Sequence, residues 1–328
     1  MSETSTIASS RSSESRRQAI DLSSVTHPLG QYGTIRLTGA SADESSSSTK
    51  PSAADHRRLS PLHAQYTHGQ TVAAANRGYL RQGREKLIPP EDGRASEGGF
   101  RKEIVELKES FEIGREPHER YANHWPKEKE GEGGLVGFGD DMMKFFGTCK
   151  DLHVQVMRAI AMGLGLDESH FDAYVDVGDN TLRLLHYPQV DADVFKANAG
   201  QVRAGEHCDY GSITLLFQDD RGGLQVKSPS GKFVDAIPIP DTVVINAGDL
   251  LARWSNDTIK STIHRVVEPP HDASVQVFPP RYSVAYFCNP NFDRLIEAMP
   301  GTYNAEVEKK YEGITSGDYL VQRLAATF

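Results

Sequence analysis

Two kinds of hydrophobic pattern divide the chain. Between residues 140 and 166, apolar side chains recur at Met142, Phe146, Cys149, Leu152, Val156 and Ile160, in steps of three and four. That spacing lines them up on one face of a long amphipathic helix. Asp140 offers an N-cap, and Gly163 and Gly165 offer a stop. A shorter helix is expected at "DESHFDAYV". After about residue 178 the pattern changes to short apolar runs separated by turn residues: "NTLRLLHYP", "ITLLFQ", "LQVK", "FVDAIPI", "TVVINAG", "IKSTIHRVV" and "RYSVAYFC". "SPSGK", at 228–232, reads as a hairpin turn between two of them. Many short strands at regular spacing predict a sandwich or jelly roll. The final "SGDYLVQRLAATF" reads as a closing helix.

The first 60 residues follow neither pattern. "AIDLS" (19–23) and "YGTIRLTG" (32–39) read as short strands, and the Ser-rich stretch 40–55 as a flexible loop. The expected organisation is a variable, partly disordered region over 1–60 and a mostly helical part over 61–177. A β core over 178–300 and a C-terminal helix over 301–328 complete it.

Composition narrows the function classes. The 328 residues carry 36 basic and 45 acidic side chains, a net charge of −9, with no strong basic patch. Neither a nucleic acid nor an anionic membrane is expected as the main partner. No apolar run approaches the ~20 residues that span a bilayer. The N-terminus lacks the apolar segment of a secretory signal. Cys149, Cys208 and Cys288 form no disulfide framework and no paired zinc motif. A reduced, cytoplasmic protein is expected, as a monomer or weak homodimer.

The chemistry concentrates in "GEHCDYGSITLL". Successive strand side chains alternate faces, so His207 and Asp209 point one way and Cys208 the other. Ionisable groups ahead of an apolar strand are costly to bury without a partner. A third candidate, His264, lies in the β-branched run "STIHRVV". Two imidazoles and one carboxylate on one face of a metal make the facial triad of non-heme Fe(II) oxygenases, with positions left open for co-substrate and oxygen. Alone, H-x-D is a weak signal, since surface pairs and satisfied core histidines produce it too. "PPRYSVAYF" adds Arg281 and Ser283 on one face of another strand. A guanidinium facing inward beside a hydroxyl calls for an anion, and arginine suits a carboxylate. The bland alternative is an arginine solvated at a sheet edge.

Taken together, H-x-D, H and R-x-S resemble the 2-oxoglutarate-dependent Fe(II) oxygenases of the isopenicillin N synthase-like superfamily. "RLLHYP", "HCDYGSITLLFQDDRGGLQV", "VVINAGDLLARWSND" and "RYSVAYFCNP" resemble that family's core blocks, and "NRGYLRQGREKL", "KESFEIGRE" and "NHWP" its upstream segments. The resemblance runs from about Asn76 to the closing helix. It implies a double-stranded β-helix (a jelly roll) with flanking helices. It also implies Fe(II) on His207, Asp209 and His264, and the distal carboxylate of 2-oxoglutarate on Arg281 and Ser283. Tyr187 would add a hydrogen bond to that co-substrate. Leu185 stands where some relatives carry a further asparagine contact. O2, and ascorbate as accessory reductant, complete the implied set. The implied activity is hydroxylation or desaturation of a small organic substrate, in specialised metabolism, with succinate and CO2 as co-products. The N-terminal blocks depart from the family pattern, lying only about a dozen residues apart. Two alternatives stay open: a catalytically silent jelly-roll binding protein, and an iron oxidase that does not use 2-oxoglutarate. Asn246, Gly248 and Asp249 read as a turn, His186 as structural, and Phe287 as lining or packing the barrel.

Overall fold

A computed structural model of the protein describes residues 77–85, 105–118, 121–126, 135–197, 200–268, 271–272 and 274–327. The strands expected at 19–23 and 32–39, and the Ser-rich loop, lie outside the described residues.

The β core is two antiparallel sheets. The larger has the order β1 (Gly78–Leu80), β2 (Glu109–Gly114), β3 (Thr181–Tyr187), β12 (Arg281–Cys288), β6 (Ile213–Gln218) and β9 (Val244–Ala247). The smaller has the order β5 (Ala204–His207), β10 (His264–Val266), β7 (Leu224–Lys227) and β8 (Phe233–Asp235). Two further two-stranded ribbons pair β4 (Val190–Asp191) with β11 (Val277–Phe278), and β13 (Leu295–Ile296) with β14 (Ile314–Thr315). Each run of short strands named from the sequence contains one of these strands. Ser228 N–H donates to Lys232 O in the β7–β8 turn, as "SPSGK" predicts.

The larger sheet is covered on both faces, which explains why its central strands read as apolar runs rather than clean alternations. One face carries Leu182, Leu184, Leu215, Phe217, Val284 and Tyr286. These pack against helix α1 (Phe138–Gly163), where Phe145 meets Phe217 edge-on at 5.3 Å and Phe146 meets Tyr286 at 5.0 Å. The apolar stripe read from the sequence is this buried face. The N-terminus differs from the sequence reading. The helix begins at Phe138 behind Gly137, whose left-handed φ of 76° favours glycine, so Asp140 lies in the first turn instead of capping it. There its charge favours the helix dipole. At the other end Gly165, at φ 74°, stops the helix as expected. The shorter predicted helix forms as α2 (Asp172–Val175).

The opposite face looks into the barrel. There Leu185, Tyr187 and Ala285 of the larger sheet meet Ala204, Leu224 and Val266 of the smaller, with Leu216 and Phe287 beside them. Helices α3 (Asp193–Ala197) and α4 (Asp249–Trp254) are short, and α5 (Ser316–Thr327) is the closing helix predicted from the sequence. Among the described residues, no helix is long and apolar enough to cross a membrane.

Candidate active site

Strand register builds the site. On the smaller sheet, His264 of β10 lies directly opposite His207 of β5. A bulge follows in β5, where two residues, Gly205 and Glu206, stand against the single Arg265 of β10. Asp209 sits just past β5, in the turn into β6. One ligand atom from each of His207, Asp209 and His264 lies within 4.8 Å of the others. His264 Nε2 is 3.7 Å from Asp209 Oδ1.

The surrounding hydrogen bonds fix how these groups point. His207 donates Nδ1–H to Gly205 O at 2.8 Å, and His264 donates Nδ1–H to Thr262 O at 3.0 Å. Both imidazoles therefore turn an Nε2 lone pair toward Asp209. Asp209 Oδ2 accepts from Asn246 Nδ2 at 2.8 Å, while Oδ1 is turned to His264. This is the orientation that metal-ligating histidines and carboxylates receive from their outer partners. Burial, then the neighbouring His264, hold His207 down at about 3, so it stays neutral. Burial alone would push the Asp209 carboxyl up, but the two imidazoles pull it below its ordinary value. A neutral His207 beside an ionised, buried Asp209 is what a divalent metal requires of these two groups. The donor set fits Fe(II). Asn246, expected to serve only a turn, instead orients the carboxylate.

The inward face of the larger sheet continues the site in layers. Arg281, Ser283, Ala285 and Phe287 alternate along β12, opposite Tyr187, Leu185, Arg183 and Thr181 of β3. At one end Arg281 is buried, with its guanidinium 4.8 Å above the Tyr187 ring. Its Nη1 donates to Ser283 Oγ at 3.2 Å, its Nη2 to Gln218 Oε1 at 3.1 Å, and its Nε to Gly222 O at 3.0 Å. Arg281, Ser283 and Tyr187 are thus brought together, while Leu185 offers no polar group. His186 faces the other way, against Glu109 and stacked on Tyr282, as a structural residue.

At the other end lies a cavity of about 270 Å³. Its lining includes His207, Asp209, Arg183, Glu85, Phe287 and Asn289, with Tyr210, Leu320 and Leu324 on its outer side. The Arg183 guanidinium lies 5.1 Å from the Phe287 ring centroid. It pairs with Glu112 and, at 3.0 Å, with Glu85. Glu85 is paired in turn with Lys108 at 2.7 Å, and Lys108 with Glu106 at 2.9 Å. Burial pushes the Glu85 carboxyl up, but Arg183 and Lys108 outweigh it and hold it at about 2. The cavity therefore presents a fixed cation, a fixed carboxylate and an aromatic face. Sequence reasoning does not single out Arg183, Glu85 or Gln218, because each resembles an ordinary polar surface residue. The signal for Arg183 is its place in "TLRLLHY", two residues from Leu185 and four from Tyr187 on one strand face. The three cysteines are free and buried.

Residues 178–290 match the sequence profile of the 2OG-Fe(II) oxygenase superfamily. Among solved structures, a full-length Neurospora crassa protein in complex with alpha-KG is 58% identical. The match covers 84% of this chain and 83% of that one, with a TM-score of 0.72. The same Neurospora protein is also solved with alpha-KG and thymine, at 57% identity, 84% coverage of each chain and a TM-score of 0.71. A third structure of it holds alpha-KG and 5-formyluracil. Proline hydroxylase buaE of Petromyces alliaceus is 36% identical over 257 residues, 77% of this chain and 76% of its own. The 2-oxoglutarate-Fe(II) type oxidoreductase ppzD of Metarhizium rileyi is 35% identical over 262 residues, 78% of this chain and 71% of its own.

Proposed function

The chain belongs to the 2OG-Fe(II) oxygenase superfamily, and from that premise we propose that it oxidises the C5 methyl group of a free pyrimidine base, thymine being the simplest. It is a 2-oxoglutarate- and Fe(II)-dependent dioxygenase with a small-molecule substrate. Neither a silent binding protein nor an iron oxidase independent of 2-oxoglutarate has support among its relatives.

The iron ligands in this reading are His207 Nε2, Asp209 Oδ1 and His264 Nε2. Bound there, Fe(II) would supply the oxidising chemistry, 2-oxoglutarate and O2 being consumed and succinate and CO2 formed. Arg281 and Ser283 hold the distal carboxylate of the co-substrate in a buried, low-dielectric layer, where a charge-assisted pair is strong. Tyr187, whose ring lies beneath the Arg281 guanidinium, adds a hydroxyl donor to the same co-substrate.

The observation that carries the substrate proposal is the pairing of Arg183 and Glu85 beside the Phe287 ring, in the cavity lined by His207 and Asp209. A pyrimidine base presents C=O and N–H groups side by side on a flat ring. A guanidinium donates to the first, a carboxylate accepts from the second, and an aromatic face stacks on the ring. The cavity, at about 270 Å³, has room for one such ring. The two pyrimidines bound by the Neurospora relative point the same way. 5-Formyluracil is thymine with its methyl carbon oxidised to an aldehyde. Two rounds account for it. The first inserts one oxygen atom into a methyl C–H bond, and the second oxidises the resulting alcohol, with loss of water. Each round consumes one O2 and one 2-oxoglutarate.

The test is product analysis by mass spectrometry after incubation with Fe(II), 2-oxoglutarate, O2 and thymine. A 5-hydroxymethyl product, then a 5-formyl product, is expected, each with matching succinate. Uracil, which lacks the methyl group, should give neither. Turnover of free proline with none of thymine would replace the pyrimidine reading by one like that of the Petromyces relative.

A further inference from the structure

One buried cation has no assigned task. Arg203 stands at the entry to β5, where its backbone N–H donates to Val266 O at 2.8 Å. Its side chain is 0% exposed. Its Nε and Nη1 find no hydrogen-bond partner, and Nη2 reaches only Pro279 O, at 3.5 Å. A guanidinium does not shed its proton in a protein. A buried, unpaired charge is among the costliest features a fold can carry, so something must compensate it.

The charges around it do not. Arg203 lies near enough to Arg281, itself 1% exposed, for the two cations to repel, with Tyr187 and Asp219 as the other neighbours it feels. Asp219 is the acid of this group, and its carboxylate is engaged by two backbone N–H groups, of Tyr282 at 2.6 Å and Arg221 at 3.1 Å. Among the described residues, two guanidinium groups thus have one carboxylate between them, one negative charge short of balance. The protein binds a dianion whose distal carboxylate carries that charge.

We propose that Arg203 is a second cation of the co-substrate site, a positioning residue that works with Arg281 to hold the distal carboxylate of 2-oxoglutarate. The proposal rests on the assignment of Arg281 and Ser283 to that carboxylate. It gives the unpaired charge a purpose. The cost is borne by the empty protein and relieved on binding, so the site favours a dicarboxylic oxo acid over a monocarboxylic one.

The experiment compares 2-oxoglutarate with 2-oxopentanoate, which has the same carbon chain and a methyl group for the distal carboxylate. Binding to the Fe(II)-loaded protein is measured by anaerobic calorimetry. Arg203→Met should weaken 2-oxoglutarate by about 10- to 100-fold, the loss of a charge-assisted contact. Binding of 2-oxopentanoate should stay as in the wild type. Arg203→Lys should restore most of the preference, and Arg203→Gln, which keeps a polar tip without charge, should not. Thermal unfolding supplies a second readout. Without co-substrate, Arg203→Met should melt at or above the wild-type temperature, since an uncompensated charge is gone, and 2-oxoglutarate should stabilise it less. A merely structural arginine gives the opposite pattern: a lower melting temperature and an unchanged ratio between the two oxo acids. Either that pattern or an unchanged ratio alone overturns the proposal. Arg281→Met separates the two assignments. If it keeps the wild-type ratio while Arg203→Met loses it, the error lies in the Arg281 assignment.

Discussion

His264 stands directly opposite His207 across the β5–β10 pair, with ring centroids 4.2 Å apart. Each ring is pinned at Nδ1 by the carbonyl two residues before it, so the pair has one orientation, set by backbone. The third arm of the site lacks that tether. Asp209 follows β5 and depends on Asn246, across from Thr214 in the β6–β9 register, to direct its carboxylate. Asn246→Ala should therefore weaken metal binding by ~10–100-fold, the usual loss for an outer partner of a ligand. His264→Ala should abolish it. Anaerobic Co(II) titration followed by absorbance measures both. An Asn246→Ala protein with wild-type metal affinity would show that the carboxylate orients itself.

Phe287 and Ser283 share one face of β12, two layers apart, so in the proposed reading the strand serves substrate at one end and co-substrate at the other. Phe287→Ala removes the aromatic face of the cavity. The KM for thymine should rise by about 10-fold, consistent with the loss of ~1–2 kcal/mol from ring stacking and burial. The dissociation constant of 2-oxoglutarate should stay unchanged. Steady-state kinetics with thymine, alongside calorimetry with the co-substrate, separates the two ends. A matched loss at both would mean that Phe287 supports the strand rather than the substrate.

The parts legible in the sequence are those where strand alternation meets a rare residue type. His207 and Asp209, and Arg281 and Ser283, each span one intervening residue, and alternation alone brings each pair to one face. Long-range register is different. Nothing local says that Arg183 faces Ala285, or that Glu85, almost a hundred residues earlier, pairs with Arg183. A buried ion pair looks in sequence like two surface charges. Arg203 escapes sequence reasoning for the same reason, because burial is a property of the assembled barrel. Asn246 reads as a turn residue because "INAGD" does turn, and Gly248 N–H does donate to Ser212 O. The asparagine is the last inward position before that turn.

His153 gives the protein an acid sensitivity independent of the metal. It is fully buried on α1, with Nε2 3.1 Å from Ser212 Oγ. Ser212 Oγ donates to Cys288 O at 2.9 Å, so it accepts from His153 Nε2–H. Burial, with a smaller repulsion from Lys150, holds its pKa down at about 3, against 6.5 for an ordinary histidine. The unfolded chain therefore binds one more proton than the folded protein between these two values. The contribution of His153 is fully present above pH 6.5 and is lost as pH falls toward 3. The slope is ~1.4 kcal/mol per pH unit for one proton. His153→Gln should flatten the stability profile by that slope between about pH 6 and 4. Urea midpoints measured across this range test it. Parallel profiles for the two proteins would mean that the buried imidazole already carries its proton.

The closing helix α5 lines the cavity proposed for the substrate, and one buried carboxylate ties it to the proposed iron site. Tyr319 donates its hydroxyl to Asp249 Oδ2 at 2.9 Å, and Arg323 Nη2 lies 3.9 Å from the same oxygen. Asp249 N–H donates to Asp209 O, so the anchor of the helix is bonded to the backbone of a proposed ligand. The Arg323 guanidinium also lies 4.7 Å from the Tyr210 ring, next to Leu320 and Leu324 on the cavity wall. Tyr319→Phe removes one partner of a buried carboxylate and should cost about 1–3 kcal/mol of stability. Arg323→Met keeps the apolar bulk but loses the ring contact and the charge. It should loosen α5 against Tyr210 and raise the KM for thymine several-fold. Metal and 2-oxoglutarate bind on the barrel side and should be untouched. Loosening the wall also lets water reach the site, so succinate formation should exceed thymine oxidation, whereas the two should be equal in the wild type. Measuring succinate and oxidised base in the same reaction gives that ratio directly. A ratio of one in Arg323→Met, with an unaltered KM, would mean that α5 closes the cavity without help from Arg323.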